Sequence, residues 1–136
     1  MQQFLSQIAL VVKDYNEAID FYVSKLGFEL VEDTVLSPEK RWVIVKPANA
    51  PSQACHLLLA KAVTTEQINA IGNQTGGRVF LFLYTDDFDR DYNRLLEHSI
   101  NIVRQPQVET YGKVLVFSDL YGNLWDLIEP TKIQNT

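Results

Sequence analysis

The chain has 136 residues, 46% of them hydrophobic and 21% charged, with a net charge of −5. That length buries a core as one domain, no window is long and apolar enough to span a bilayer, and the negative balance, with no local Lys/Arg cluster to offset it, disfavours nucleic-acid binding. A single cysteine, Cys55, has no internal disulfide partner, and MQQFLSQIALVVKD lacks a basic, cleavable leader, so the expected compartment is the cytoplasm.

Ile8 to Val12 is an unbroken apolar run, the pattern of a strand covered on both faces. Asp14 then caps a helix, with Glu17 three residues on as the second half of a capping box. Tyr15, Ala18, Ile19, Tyr22 and Leu26 recur at helical spacing, so one stripe faces a sheet, and Gly27 ends the helix. Phe28–Val31, Arg41–Lys46 and His56–Ala60 read as strands. The order is β-α-β-β-β.

Thr64 and Gln67 form a second capping-box pair that opens a short helix reaching Ile71, and Asn73-Gln-Thr-Gly-Gly77 is a connector. Strand Val79–Tyr84, helix Asp87–His98 and strands Asn101–Arg104, Lys113–Phe117 and Leu124–Glu129 follow. Phe88, Tyr92, Leu95 and Leu96 are placed on one helical stripe. The order is again β-α-β-β-β.

The two halves share a grammar. QIALVVKDYNEAIDFY (7–22) and FLFLYTDDFDRDYNRL (80–95) match with Asp14 against Asp87, Tyr15 against Phe88 and Ile19 against Tyr92. A duplicated unit of this kind builds one symmetric object. The expected organisation is an α+β fold of two tandem βαβββ modules, residues 1–62 and 79–132, joined by a connector over 63–78.

This double pattern resembles the vicinal oxygen chelate superfamily, which includes glyoxalase I, extradiol dioxygenases, and fosfomycin- and bleomycin-resistance proteins. The resemblance rests on Val12-Lys-Asp14 through Tyr22, on Lys25-Leu-Gly-Phe28, and on Asp119-Leu-Tyr-Gly-Asn-Leu-Trp-Asp-Leu127. It implies paired curved sheets forming a half-open barrel, a reactive centre in the concavity, and a homodimer. It also implies a divalent metal (Zn, Ni, Mn or Fe) held by the first and last strand of each module.

Placed on this chain, those four metal positions are Gln7, His56 or its same-face neighbour Leu58, Phe80, and Asp126. A phenyl ring cannot coordinate a metal, so the full site is not expected, and a metal would be held by Gln7, His56 and Asp126 alone. The leading expectation is a metal-free protein that binds a small, partly apolar ligand. The alternative is a metal-dependent lyase, isomerase or dioxygenase.

By strand alternation, Gln7 points away from the helix-facing residues Ile8, Leu10 and Val12. Asp126, between Trp125 and Leu127, is a carboxylate in an apolar strand, and burial would raise its pKa and suit it to act as a general base. Phe80, Phe82 and Tyr84 form an aromatic stripe, to which Trp42, Tyr111 and Phe117 are expected to add; such rings stack on planar ligands. Cys55 and His56 are successive strand residues on opposite faces, so no dyad forms between them. His98 ends a helix, where it complements the dipole.

Overall fold

The computed structural model describes residues 2–132. The chain divides after Gly72 into two compact units, each built on an open four-stranded sheet. No helix among the described residues is long and apolar enough to cross a membrane.

In the N-terminal unit the sheet order is β1-β4-β3-β2, with β1 spanning Gln7–Val12, β2 Glu29–Val35, β3 Arg41–Lys46 and β4 His56–Lys61. β1 and β4 run parallel and the other neighbours antiparallel. Leu10, Val12, Val43, Val45, Leu57 and Leu59 share one face and are buried, as the alternation of apolar residues requires. Asp14 caps the following helix, its carboxylate accepting from the Glu17 amide at 2.9 Å.

That helix starts as α-helix (α1, Tyr15–Ile19) and widens into a π-helical segment over Asp20–Lys25, in which the Leu26 amide reaches back to the Phe21 carbonyl at 2.8 Å. The wider turn buries the adjacent residues Phe21 and Tyr22 together, and their rings meet edge to face with centroids 5.1 Å apart. The 3.6-residue spacing expected across this stretch does not reveal the widening. Gly27, at φ 91°, ends it as expected. A capping box of Thr64 and Gln67 opens α2, Thr65–Ala70.

The C-terminal unit repeats the plan, in the order β5-β8-β7-β6, with β5 Val79–Tyr84, β6 Ile102–Glu109, β7 Gly112–Ser118 and β8 Leu124–Pro130. Asp87 caps α3 (Phe88–Glu97) by accepting from the Arg90 amide at 3.1 Å, as Asp14 does for α1. Phe88 and Leu95 are buried under the helix, whereas Leu96, expected on the same stripe, is 52% exposed. Neighbouring helical residues stand about 100° apart: Leu95 lies seven residues, or about two full turns, after Phe88 and so returns to its face, and Leu96 lies a further quarter-turn or so beyond it.

The duplication extends to the irregularities. β2 breaks register against β3 between Leu30 and Glu32, and β6 breaks register against β7 between Ile102 and Arg104. Val31 and Val103 are therefore matching bulges, and β2 and β6, each the edge strand that lies beside the bulge's partner, both carry mostly exposed residues.

Candidate functional site

In the N-terminal unit the register gives each of the two β4 candidates a different partner in β1. Gln7 pairs directly with His56, and Ala9 pairs with Leu58. Partners in register point to the same side, so the Gln7 amide and the His56 imidazole are neighbours on the face opposite Leu10 and Leu57. Ile44 pairs with Leu58 and lies on that face too, with Trp42 two residues before it. Gln7, His56 and Trp42 are each half-buried.

Gln7 and His56 border a cavity of about 210 Å³, completed by Phe4, Ser6, Val31, Ile44 and the loop residues Ser52 and Ala54. Two local features shape it. The Val31 bulge turns an apolar side chain into its wall. The 47–55 loop is held by Glu29, whose carboxylate accepts from the Asn49 amide at 3.0 Å and pairs with Lys46 at 3.4 Å. Those contacts, the Asn49 amide first, draw the Glu29 carboxyl below its ordinary pKa. Cys55 lies between two lining residues and is half-buried, and burial raises its thiol pKa.

In the C-terminal unit, α3 identifies the faces. Its first amide, of Phe88, donates to the Glu129 carboxylate at 2.9 Å. Glu129 shares a face of β8 with Trp125 and Leu127, so Asp126 lies on the side away from the helix. Register then lines up four residues across the sheet on that side. Phe82 of β5 pairs with Asp126 of β8, Asp126 with Val116 of β7, and Val116 with Arg104 of β6. Phe82 is 63% exposed, Val116 is buried, and Arg104 is exposed.

Asp126 is the charged member of this row with a buried atom. Its Oδ1 is buried and has no hydrogen-bond partner among the described residues, although the residue as a whole is half-buried. Desolvation raises its pKa above the ordinary aspartate value, and the positive field of Arg104 partly opposes this. A carboxylate with an unused acceptor beside an exposed ring is suited to accept a hydrogen bond from a planar ligand.

The remaining expected site residues divide. Tyr84 is 70% exposed on the Phe82 side of β5, and Tyr111 is 58% exposed in the β6–β7 turn. Phe80 is half-buried at a break in the β5–β8 register, between Val79 and Leu81. Phe117 does not join that wall. It pairs with Trp125, stacks on it at 5.9 Å and 9°, and is fully buried on the helix side, because Val116 holds the position that shares a face with Asp126. Arg41, which begins β3 and is not among the expected site residues, makes a two-pronged bond to Asp33, donates to Asn16 at 2.8 Å, and lies over the Tyr15 ring.

Two residues missed from the sequence matter for the site. Asp119 is 5% exposed; its carboxylate accepts from the Tyr121 and Asn123 amides and the Asn123 side chain, at 2.8–2.9 Å, and this turn sets where β8 begins. Its signal was present in Asp-Leu-Tyr-Gly-Asn, a turn-forming string. Arg104 had no local signal.

The donors fit a divalent metal poorly. The N-terminal unit offers one amide and one imidazole side by side, and the cross-strand neighbour of Asp126 in β5 is a phenyl ring. Among the described residues, no three His, Cys, Asp or Glu side chains gather into a group able to hold an ion.

Comparison with known proteins agrees with this architecture. The model of the Glyoxalase/Bleomycin resistance protein/Dioxygenase superfamily matches residues 4–127, and the chain belongs to that superfamily. A protein of Shewanella frigidimarina (strain NCIMB 400), described only as uncharacterized, is 59% identical over 130 residues, covering 95% of each chain. The crystal structure of UcmS2 superposes with a TM-score of 0.81 at 27% identity, over 95% of this chain and 99% of that one. That of TnmS3, an antibiotic binding protein from Streptomyces sp. CB03234, does so with a TM-score of 0.76 at 30% identity, over 96% and 98%.

Proposed function

We propose that this protein binds a small, planar, partly apolar molecule without using a bound metal, in the manner of an antibiotic-sequestering member of its superfamily. The observation that carries the reading is the Asp126 acceptor without a partner, set beside the exposed Phe82 ring. A buried acceptor left unmade costs about 1–3 kcal/mol, and a ligand donor recovers it. The cavity beside Gln7 and His56 supports the same reading, with a largely apolar lining and a few hydrogen-bonding side chains, the Gln7 amide and His56 imidazole among them, to orient a ligand. The likeness to TnmS3, an antibiotic binding protein, supports a small-molecule ligand.

Thermal-shift screening of planar aromatic compounds, including aromatic antibiotics, in the presence of EDTA tests it. Stabilisation that persists in EDTA and is lost in Phe82→Ala supports the proposal. A melting temperature raised only by Zn, Ni, Mn or Fe, with no response to any compound, overturns it in favour of a metal-dependent enzyme. We further propose a homodimer, supported by the exposed outer strands β2 and β6. Sedimentation as a monomer at micromolar concentration overturns that.

A further inference from the structure

We infer that Arg104 determines ligand specificity, and that Arg104 and Asp126 together select a molecule carrying an acidic oxygen at one end and a hydrogen-bond donor at the other. The inference rests on the small-molecule reading above and names the chemistry of that ligand. Its basis is the row Phe82, Asp126, Val116, Arg104, each residue in register with the next across four strands. The two charged residues are separated by one buried valine. They stand two strand spacings apart, roughly 9–10 Å between Cα atoms, and the length of an arginine side chain reduces the gap to about that of a para-substituted ring.

Arg104 is an exposed residue, and its guanidinium fork suits a carboxylate or phenolate. Asp126, half-buried, offers a carboxylate acceptor, Val116 lies buried between the two charges, and Phe82 offers an exposed ring face. The Arg104 charge already acts on the Asp126 carboxyl, so the two groups are within electrostatic range. The corresponding row of the N-terminal unit is Ala9, Leu58, Ile44 and Glu32. It has the same bulge and register but neither charge of the pair, so the arrangement is not imposed by the fold.

Four probes test it: 4-aminobenzoate, with both groups; benzoate, with the acid alone; aniline, with the donor alone; and 4-aminobenzamide, with the acid neutralised. Binding is followed by amide chemical shifts in the intact protein. A charge-assisted fork predicts that 4-aminobenzoate binds about tenfold more tightly than 4-aminobenzamide. Arg104→Gln removes that preference while leaving 4-aminobenzamide affinity unchanged, Arg104→Lys keeps part of it, and Asp126→Asn weakens all three amines. A preference that survives Arg104→Gln, or equal binding of 4-aminobenzoate and 4-aminobenzamide by the native protein, overturns the inference. So does the absence of shifts on β6, β7 and β8 with every probe at millimolar concentration. If compounds from the wider screen bind without regard to Arg104, the inference fails and the binding function stands. If no compound binds at all, the function itself fails.

Discussion

Replacing Asp126 with leucine should stabilise the protein at neutral pH. Leucine has the same branching at Cγ and the same number of heavy atoms, so the exchange opens no cavity, and its bulkier methyl groups enter a position that is only half-buried. Leucine also stands at the matching position of the other unit, where Leu58 pairs with Ala9 as Asp126 pairs with Phe82. A fully buried orphaned acceptor costs about 1–3 kcal/mol. Only Oδ1 of Asp126 is buried, within a half-buried residue, so the expected gain is about 1 kcal/mol at the low end of that range. For a chain of this size that raises the melting temperature by roughly 3–6 °C.

The pH dependence of that gain is the sharper test. Burial raises the folded-state pKa of Asp126 above its ordinary value of 3.8, so the native protein holds this proton more firmly than the unfolded chain does. The stability associated with the proton is complete below about pH 3.8 and is lost as pH rises through the raised folded value. The advantage of Asp126→Leu should therefore be small in acid and reach its full size near neutrality. Urea denaturation of both proteins at pH 4 and pH 7 measures it. A leucine variant less stable at pH 7, or equally favoured at both values, would show that Asp126 has a partner and would remove the basis of the site.

Other substitutions test the face assignments and the scaffold. Phe117→Ala should cost about 3–5 kcal/mol, since the ring is fully buried against Trp125; Phe82→Ala should leave stability within about 0.5 kcal/mol and abolish ligand response, and urea titration with thermal-shift binding separates the two. Gly112→Ala should destabilise by about 1–3 kcal/mol, because the added methyl would overlap the Glu129 carbonyl oxygen and lie 3.1 Å from Pro130 Cα. Arg41→Lys should cost at most about 1 kcal/mol, as the charge remains and the fork on Asp33 is lost. Arg41 lowers the Asp33 pKa, so this difference should be present above about pH 3.8 and fade as acid protonates Asp33, read from melting curves between pH 3 and 7.

The capping aspartates, the apolar first strands and the repeated βαβββ order were legible because each depends on residues close in sequence. Asp14 and Asp87 both accept from the amide three residues on, and β3 and β5 have the expected boundaries. The misreadings on the sheets have a common cause: they depend on pairing between distant strands. Phe117 has an aromatic ring in a strand of the right kind, but only its partner Trp125 shows which side it faces. Arg104 sits in an exposed, polar stretch containing Pro106. Its alignment with Asp126 depends on two successive pairings and on the Val103 bulge, and bulges have no reliable local spelling.

The bulges also explain how one repeated design supports two different chemistries. Each outer strand shifts by one residue at a valine, and the residue after it aligns with the centre of its sheet: Glu32 beyond Ile44, Arg104 beyond Val116. A strand shifted by one residue exchanges the faces of all that follow, so these two positions are specified by geometry while their charge is free to differ. In the N-terminal unit the polar pair lies one step along the sheet, at Gln7 and His56, and the central row is otherwise apolar. In the C-terminal unit the central row itself carries the charges. The duplicated scaffold thus fixes where side chains stand, and single substitutions at matching positions decide what each face can hold. Exchanging the side chains tests this: Glu32→Arg should leave the fold intact without creating affinity for 4-aminobenzoate on the N-terminal sheet, because Leu58 offers no acceptor and Ala9 no ring, whereas adding Leu58→Asp and Ala9→Phe should create it. Affinity appearing with Glu32→Arg alone would mean that the guanidinium, and not its alignment with a carboxylate, is sufficient for recognition.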